Sequence, residues 1–160
     1  MRLSILCFSV LMLFNFCSQA QNPSIKFING FLPMAKKLQN EWGIPVSIIL
    51  GVSILESGSG TSKNAKQLNN FFGVTGSNKI KTRKSIYKQY ATAEDSFEDF
   101  CSIISRKRFY KSLKNNKNYN TWLIAMIKAN YAGAKSVWIY RVKSIIKKHN
   151  LAKHDKVESI

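Results

Sequence analysis

Acidic residues are scarce in this chain. Its 160 residues include 8 Asp and Glu against 25 Lys and Arg, a formal net charge of +17. A chain so basic seeks polyanions. Cysteine is scarcer still. Cys7 and Cys17 fall in the N-terminal apolar stretch, which leaves Cys101 alone in the body of the chain. No disulfide can form within that body, and the two histidines, His149 and His154, sit near a basic C-terminus. A structural zinc site therefore has no ligand set, and no motif calls for a cofactor. Proline is rare too, and no repeat, low-complexity tract or linker interrupts the sequence, which favours one domain.

The opening MRLSILCFSVLMLFNFCSQA has Arg2, an apolar run from Leu3 to Phe16, and small residues at Ser18 and Ala20. It reads as a cleaved secretory signal spanning 1–20, with a domain over 21–160. A retained membrane anchor and a lipoprotein modified at Cys17 are the rival readings; the run is short for a span, and bulky Phe16 suits a lipoprotein site poorly. A secreted or periplasmic protein with no stable membrane span is the consequence. Outside the cytoplasm, cell-wall polymers and anionic lipid headgroups replace nucleic acid as the available polyanions.

Apolar spacing predicts a mainly helical domain. Phe27, Phe31, Met34, Ala35 and Leu38 place a helix over 25–41, with Pro33 expected to kink or split it. Pro45 opens PVSIILGVSILES, apolar on most of its surface and so the expected central buried helix. Gly58-Ser59-Gly60 ends it, and Thr61 or Ser62 can cap a short helix through Leu68. Between Phe71 and Tyr90 short apolar pieces broken by Gly73 and Gly76 suggest a small β-hairpin lobe. Helical spacing returns at Phe97 to Ile104, Trp122 to Ala129 and Trp138 to Ile146.

With so few carboxylates, candidates for acid–base chemistry can be sorted by elimination. Asp155 and Glu158 lie in a polar tail expected to fray, and Glu41 stands beside the Gly43 stop with nothing reactive nearby. In TAEDSFEDF, Thr92 can cap a helix with Asp95 at the third position, while Glu94, Glu98 and Asp99 turn mostly outward. Glu56 is different. It occupies the last turn of the most apolar helix, where burial and the negative helix end would both raise its pKa, as a general acid requires. An exposed glutamate at a turn is the equally open structural alternative.

The run ILESGSGTS followed by AKQLNNFFGV resembles the signature of the bacterial glucosaminidase family, endo-β-N-acetylglucosaminidases that cut peptidoglycan strands on a lysozyme-like helical fold with a small β-lobe. The segment from Tyr90 to Phe100 and the ending from Asn130 to Leu151 are similar to further parts of that family, so the resemblance spans about 25–151. It implies that Glu56 is the general acid, that Asn70, Phe72 and Gly73 sit in the sugar cleft, and that Tyr131 matches the tyrosine of the family's Y-A-T element. The residue types agree. Aromatic faces stack on sugars and amides bond N-acetyl groups, which suits Phe72, Asn69 and Asn70; of Phe71 and Phe72, one is expected in the core and one in the cleft. Trp138 joins the substrate-binding candidates, although it and Tyr131 would equally serve helix packing.

The chain also departs from the family pattern. Many members carry a second acid in the β-lobe, yet 57–93 holds no Asp or Glu, and Y-A-T reads Tyr131-Ala132-Gly133. Carboxyl pairs in glycosidases stand about 5–5.5 Å or about 6.5–9.5 Å apart, and here the partner is missing. The substrate's acetamido group could replace it, or an acid from 94–99 could swing in. Alternatively the protein forms a 1,6-anhydro product like a lytic transglycosylase, or is a cationic wall-binding module without activity. Clusters such as Lys79-Lys81-Arg83-Lys84, Arg106-Lys107-Arg108 and Lys143-Lys147-Lys148 would hold it to anionic wall polymers; a membrane-active or nucleic-acid-binding role ranks last.

Overall fold

A computed structural model describes residues 22–81 and 84–156. The expected signal segment and Glu158 lie outside these residues. Among the described residues seven α-helices and a closing 3₁₀ turn follow in order: α1 Pro23–Trp42, α2 Val46–Ser57, α3 Lys63–Leu68, α4 Ala93–Ser105, α5 Tyr110–Leu113, α6 Tyr119–Lys128, α7 Lys135–Lys148, and the 3₁₀ turn Leu151–Asp155.

Helix α2 is the axis of the fold because its sequence leaves it no polar side. Every residue from Val46 to Ile54 is buried, and a helix apolar all round is stable only when surrounded. Helices α1 and α7 and the 3₁₀ turn pack around it. At Gly51 an added Cβ would come within 2.8 Å of Ile146 Cγ1, so the absent side chain lets α7 approach closely. The first N–H groups of α2 lack helical partners. Gln39 Oε1 accepts from Val46 N at 3.0 Å, while Asp155 accepts from Ser47 N at 2.8 Å and Ser47 Oγ at 2.6 Å.

That last pair corrects an expectation. Asp155 does not fray with a polar tail; it is 2% exposed and ties the C-terminal turn to the central helix. Pro33 does not split α1, which runs unbroken across it from Pro23 to Trp42. The apolar face formed by Phe27, Ile28, Ala35 and Leu38 is buried along the full helix, and that burial outweighs the one backbone bond proline removes.

Among the described residues no β-hairpin is formed either. Among the described residues of the lobe a single bridge pairs Thr75 with Tyr87, flanked by Gly76 N to Ile86 O and Lys88 N to Val74 O. Asparagine side chains replace the ladder. Asn70 Nδ2 donates to Val74 O and Lys88 O, each at 2.8 Å, and Asn78 Nδ2 donates to Ser85 O and Tyr87 O, each at 2.9 Å. Local side-chain to backbone bonds of this kind compete with regular pairing.

The capping box on α4 is as expected, with Thr92 Oγ1 accepting from Asp95 N and Asp95 Oδ2 accepting from Thr92 N. Glu94 and Glu98 face Lys37 on α1 at 2.8 and 4.0 Å. Asp99 instead turns toward the lobe. It accepts from Lys88 Nζ and Tyr90 Oη, both at 2.7 Å.

Candidate active site

The turn after α2 fixes the end of that helix and the direction of Glu56. Gly58, Ser59 and Gly60 all have positive φ, at 57°, 57° and 77°, so the chain coils left-handed immediately beyond the helix. Ser57 is fully buried and anchors the turn, donating to Ser53 O at 2.6 Å and accepting from Gly60 N at 2.8 Å. With Ile54 and Ser57 facing the core, Glu56 falls on the open side.

Glu56 is therefore exposed, which removes the burial assumed from its apolar neighbours. The hydrophobic run surrounds the helix body; the carboxylate has already reached the surface of a cleft. That cleft, about 320 Å³, is lined by Glu56, Phe72, Gly73, Lys107, Asn130 and Tyr131 together with Val74, Thr75 and Ile103. Trp138 Nε1 donates to Glu56 Oε1 at 2.8 Å. Oε2 has no hydrogen-bond partner among the described residues and faces Gly73, whose added Cβ would stand 3.6 Å from it. Gly73 has φ of 68°, a conformation that also favours glycine. Among the described residues, one carboxylate oxygen is thus held and the other is left open to the cleft.

Tyr131 reaches the cleft through the end of α6. Asn130 adopts φ of 54°, and the bonds Tyr131 N to Met126 O and Asn130 N to Ile127 O form a Schellman closure. The Tyr131 ring lies 5.4 Å from the Trp138 ring and 6.0 Å, edge-on, from Phe100. Burial, then the nearby negative charge of Glu56, pushes the Tyr131 phenol above its usual pKa. Its hydroxyl stays protonated and can donate a hydrogen bond.

The other sequence candidates divide. Phe72 lines the cleft but is 4% exposed and stacks on Phe100 at 4.2 Å and 7°, so only part of one face is available. Phe71 is core, packed against Phe27, Phe31 and Phe97. Asn70 is 1% exposed with its amide committed to the lobe backbone, and Asn69 Nδ2 donates to Tyr90 O and Ala91 O. Both asparagines brace the lobe rather than line the cleft. Trp138, 7% exposed, holds the Glu56 carboxylate and does not appear in the cleft lining.

Sequence reasoning missed Lys107 and Asn130 as cleft residues. The only signals were the RKR cluster and the position of Asn130 immediately before Tyr131. No acid other than Glu56 lines the cleft among the described residues. Asp99 is not placed there; burial of its carboxyl is outweighed by hydrogen bonds from Lys88 and Tyr90, which lower its pKa.

Solved structures share this architecture. The catalytic domain of the autolysin Auto from Listeria monocytogenes matches with a TM-score of 0.68 at 21% identity, over 84% of this chain and 88% of that one. The glycoside hydrolase domain of FlgJ from Salmonella typhimurium matches with a TM-score of 0.62 at 19% identity, over 81% and 90%. An N-acetylmuramoyl-L-alanine amidase from Staphylococcus aureus gives 0.71 at 20% identity, over 86% of this chain and 44% of that one. At such identities the likeness establishes the fold. No curated protein matches the chain. The glucosaminidase family profile, described as mannosyl-glycoprotein endo-beta-N-acetylglucosaminidase, matches residues 32–151. With most of its length matched, including the Glu56 turn, the lobe and the Tyr131 cleft, the chain belongs to the glucosaminidase family of glycoside hydrolases.

Proposed function

We propose that the protein cuts peptidoglycan glycan strands at the β-1,4 bond following N-acetylglucosamine, with Glu56 as general acid. The observation that carries this reading is the asymmetric carboxylate: Oε1 fixed by Trp138, Oε2 without a hydrogen-bond partner among the described residues and facing the cleft beside Gly73. A general acid must reach the leaving oxygen from a defined direction.

The single carboxylate favours participation by the substrate. The acetamido carbonyl oxygen attacks the anomeric carbon as the bond to the leaving oxygen breaks and Glu56 gives that oxygen its proton. Water then attacks the same carbon, Glu56 takes back a proton, and the acetamido group is restored. Tyr131, with its hydroxyl kept protonated, orients the acetamido group or the water by donating a hydrogen bond. No acid from 94–99 is needed. The basic surface of a +17 chain holds the enzyme to anionic polymers of the wall, outside the cytoplasm.

A digest of purified peptidoglycan by residues 21–160, with fragments read by mass spectrometry, tests this. Wild type is expected to release fragments ending in reducing N-acetylglucosamine, and Glu56→Gln to lose about 100- to 10,000-fold in rate. Products lighter by one water would replace hydrolysis with anhydro formation. Release of nothing by either protein while both bind sacculi would overturn the catalytic assignment.

A further inference from the structure

Beside the cleft lies a second cavity, about 510 Å³, between the connection that follows α4 and the end of α6. Arg106, Lys107, Arg108 and Lys128 line it, with Phe109 and Asn130. Lys107 and Asn130 also line the Glu56 cleft, so the two cavities share a wall.

Cations at the C-terminal ends of helices have an ordinary explanation, since each end carries roughly half a negative charge. Two helix ends meet here, so about one negative charge faces four cations. Arg106 is partly engaged: it donates to Ser102 Oγ at 2.6 Å, and its charge helps lower the Asp99 pKa. Lys107, Arg108 and Lys128 form no ion pair with any described carboxylate. The helix ends do not account for them.

We infer that this pocket receives the carboxylates of the peptide stem borne by the N-acetylmuramic acid next to the bond being cut. The inference rests on the peptidoglycan reading above and extends it to specificity. A neutral aminosugar homopolymer offers nothing to three unpaired cations. In peptidoglycan every second ring carries a lactyl-linked peptide, which projects sideways from the strand and holds carboxylates at a distance from the sugar. A pocket that shares a wall with the cleft is placed to meet such an arm, and Phe109 offers apolar contact to its alanine methyls. The enzyme accordingly prefers peptide-bearing strands to denuded ones.

The double variant Arg108→Gln/Lys128→Gln, both positions outside the Glu56 cleft, tests this on peptide-bearing strands and on the same strands stripped by an amidase. Peptide-bearing strands are expected to lose about 3- to 10-fold in kcat/KM, through KM, with the loss shrinking as salt is added. Denuded strands, which keep only the lactyl carboxylate, should be cut at the wild-type rate. No loss on either substrate, or an equal loss on both, overturns the inference. To separate it from hydrolysis itself, isotope-labelled Glu56→Gln is titrated with a soluble stem peptide carrying free carboxylates. Shifts centred on the amides of Arg108, Lys128 and Asn130 support the pocket even if no strand is cut. Their absence while wild type cuts strands overturns the pocket and leaves hydrolysis standing.

Discussion

At the residue scale the proposed chemistry depends on how one carboxylate is held. Trp138 fixes Glu56 Oε1 at 2.8 Å, and the indole packs against Tyr131. Trp138→Phe keeps most of the ring and deletes the donor. A hydrogen bond to a charged group contributes about 1.5–3 kcal/mol. If Trp138 positions the acid, kcat should fall by roughly one order of magnitude with KM nearly unchanged, whereas a sugar-stacking tryptophan would raise KM instead. Steady-state kinetics on a defined strand separates the two. The identity of Glu56 as the candidate acid was legible in the sequence, because so few carboxylates exist to choose from. Its exposure was one of two readings the sequence left open, and the fold decided it, because the neighbours that are apolar in sequence lie beneath it in space. Asn69 and Asn70 were misplaced for a related reason: an amide that can bond an N-acetyl group can equally bond a backbone carbonyl, and here the lobe backbone is nearer.

At the scale of elements, two side chains join segments distant in sequence. Asp155 terminates the 3₁₀ turn and caps α2 through Ser47. Asp155→Ala leaves the buried Ser47 hydroxyl and N–H without partners, at a cost of about 1–3 kcal/mol, and thermal melting should show it; an unchanged Tm would mean the tail is dispensable. Asp99 joins α4 to the lobe. Its burial acts to raise the carboxyl pKa, but hydrogen bonds from Lys88 and Tyr90 win and lower it. A carboxyl depressed in the folded state stabilises the fold above its unfolded pKa, and that contribution is lost as pH falls through the folded pKa. Asp99→Asn should therefore flatten the decline in stability as pH falls below the ordinary aspartate pKa of about 3.9. An acid limb as steep as that of wild type, followed by denaturant unfolding, would remove Asp99 from this role. Helices α2, α4, α6 and α7 were all legible from apolar spacing. The lobe was not, since its order comes from Asn70 and Asn78 bonding backbone across 4 to 18 residues, a pattern with no period.

On the scale of the whole molecule, the proposed function gives charge and cleft separable tasks. Among the described residues no helix is long and apolar enough to cross a membrane. On the proposed reading, attraction of this basic chain, +17 over its full length, to wall polymers would act at a range set by the Debye length, about 10 Å at 0.1 M salt. Retention of Glu56→Gln on sacculi should fall steeply between about 0.05 and 0.5 M salt, while cleavage of a short neutral oligosaccharide by wild type should change little. Equal salt sensitivity in both assays would mean that the basic surface acts in the cleft itself.

The sequence by itself determined the helical class, the central place of α2, a cap at Thr61 or Ser62 and another at Thr92, and Glu56 as the acid worth testing. These depend on composition, period and neighbours within one turn, which the linear order preserves. Tertiary structure alone decided that Trp138, 82 residues away, holds the Glu56 carboxylate, that Asp155 caps a helix 108 residues earlier, and that Lys107 and Asn130 stand at the junction of two cavities. Such contacts arise when buried faces pack and bring distant segments together, and no local pattern of residues encodes which partners then meet.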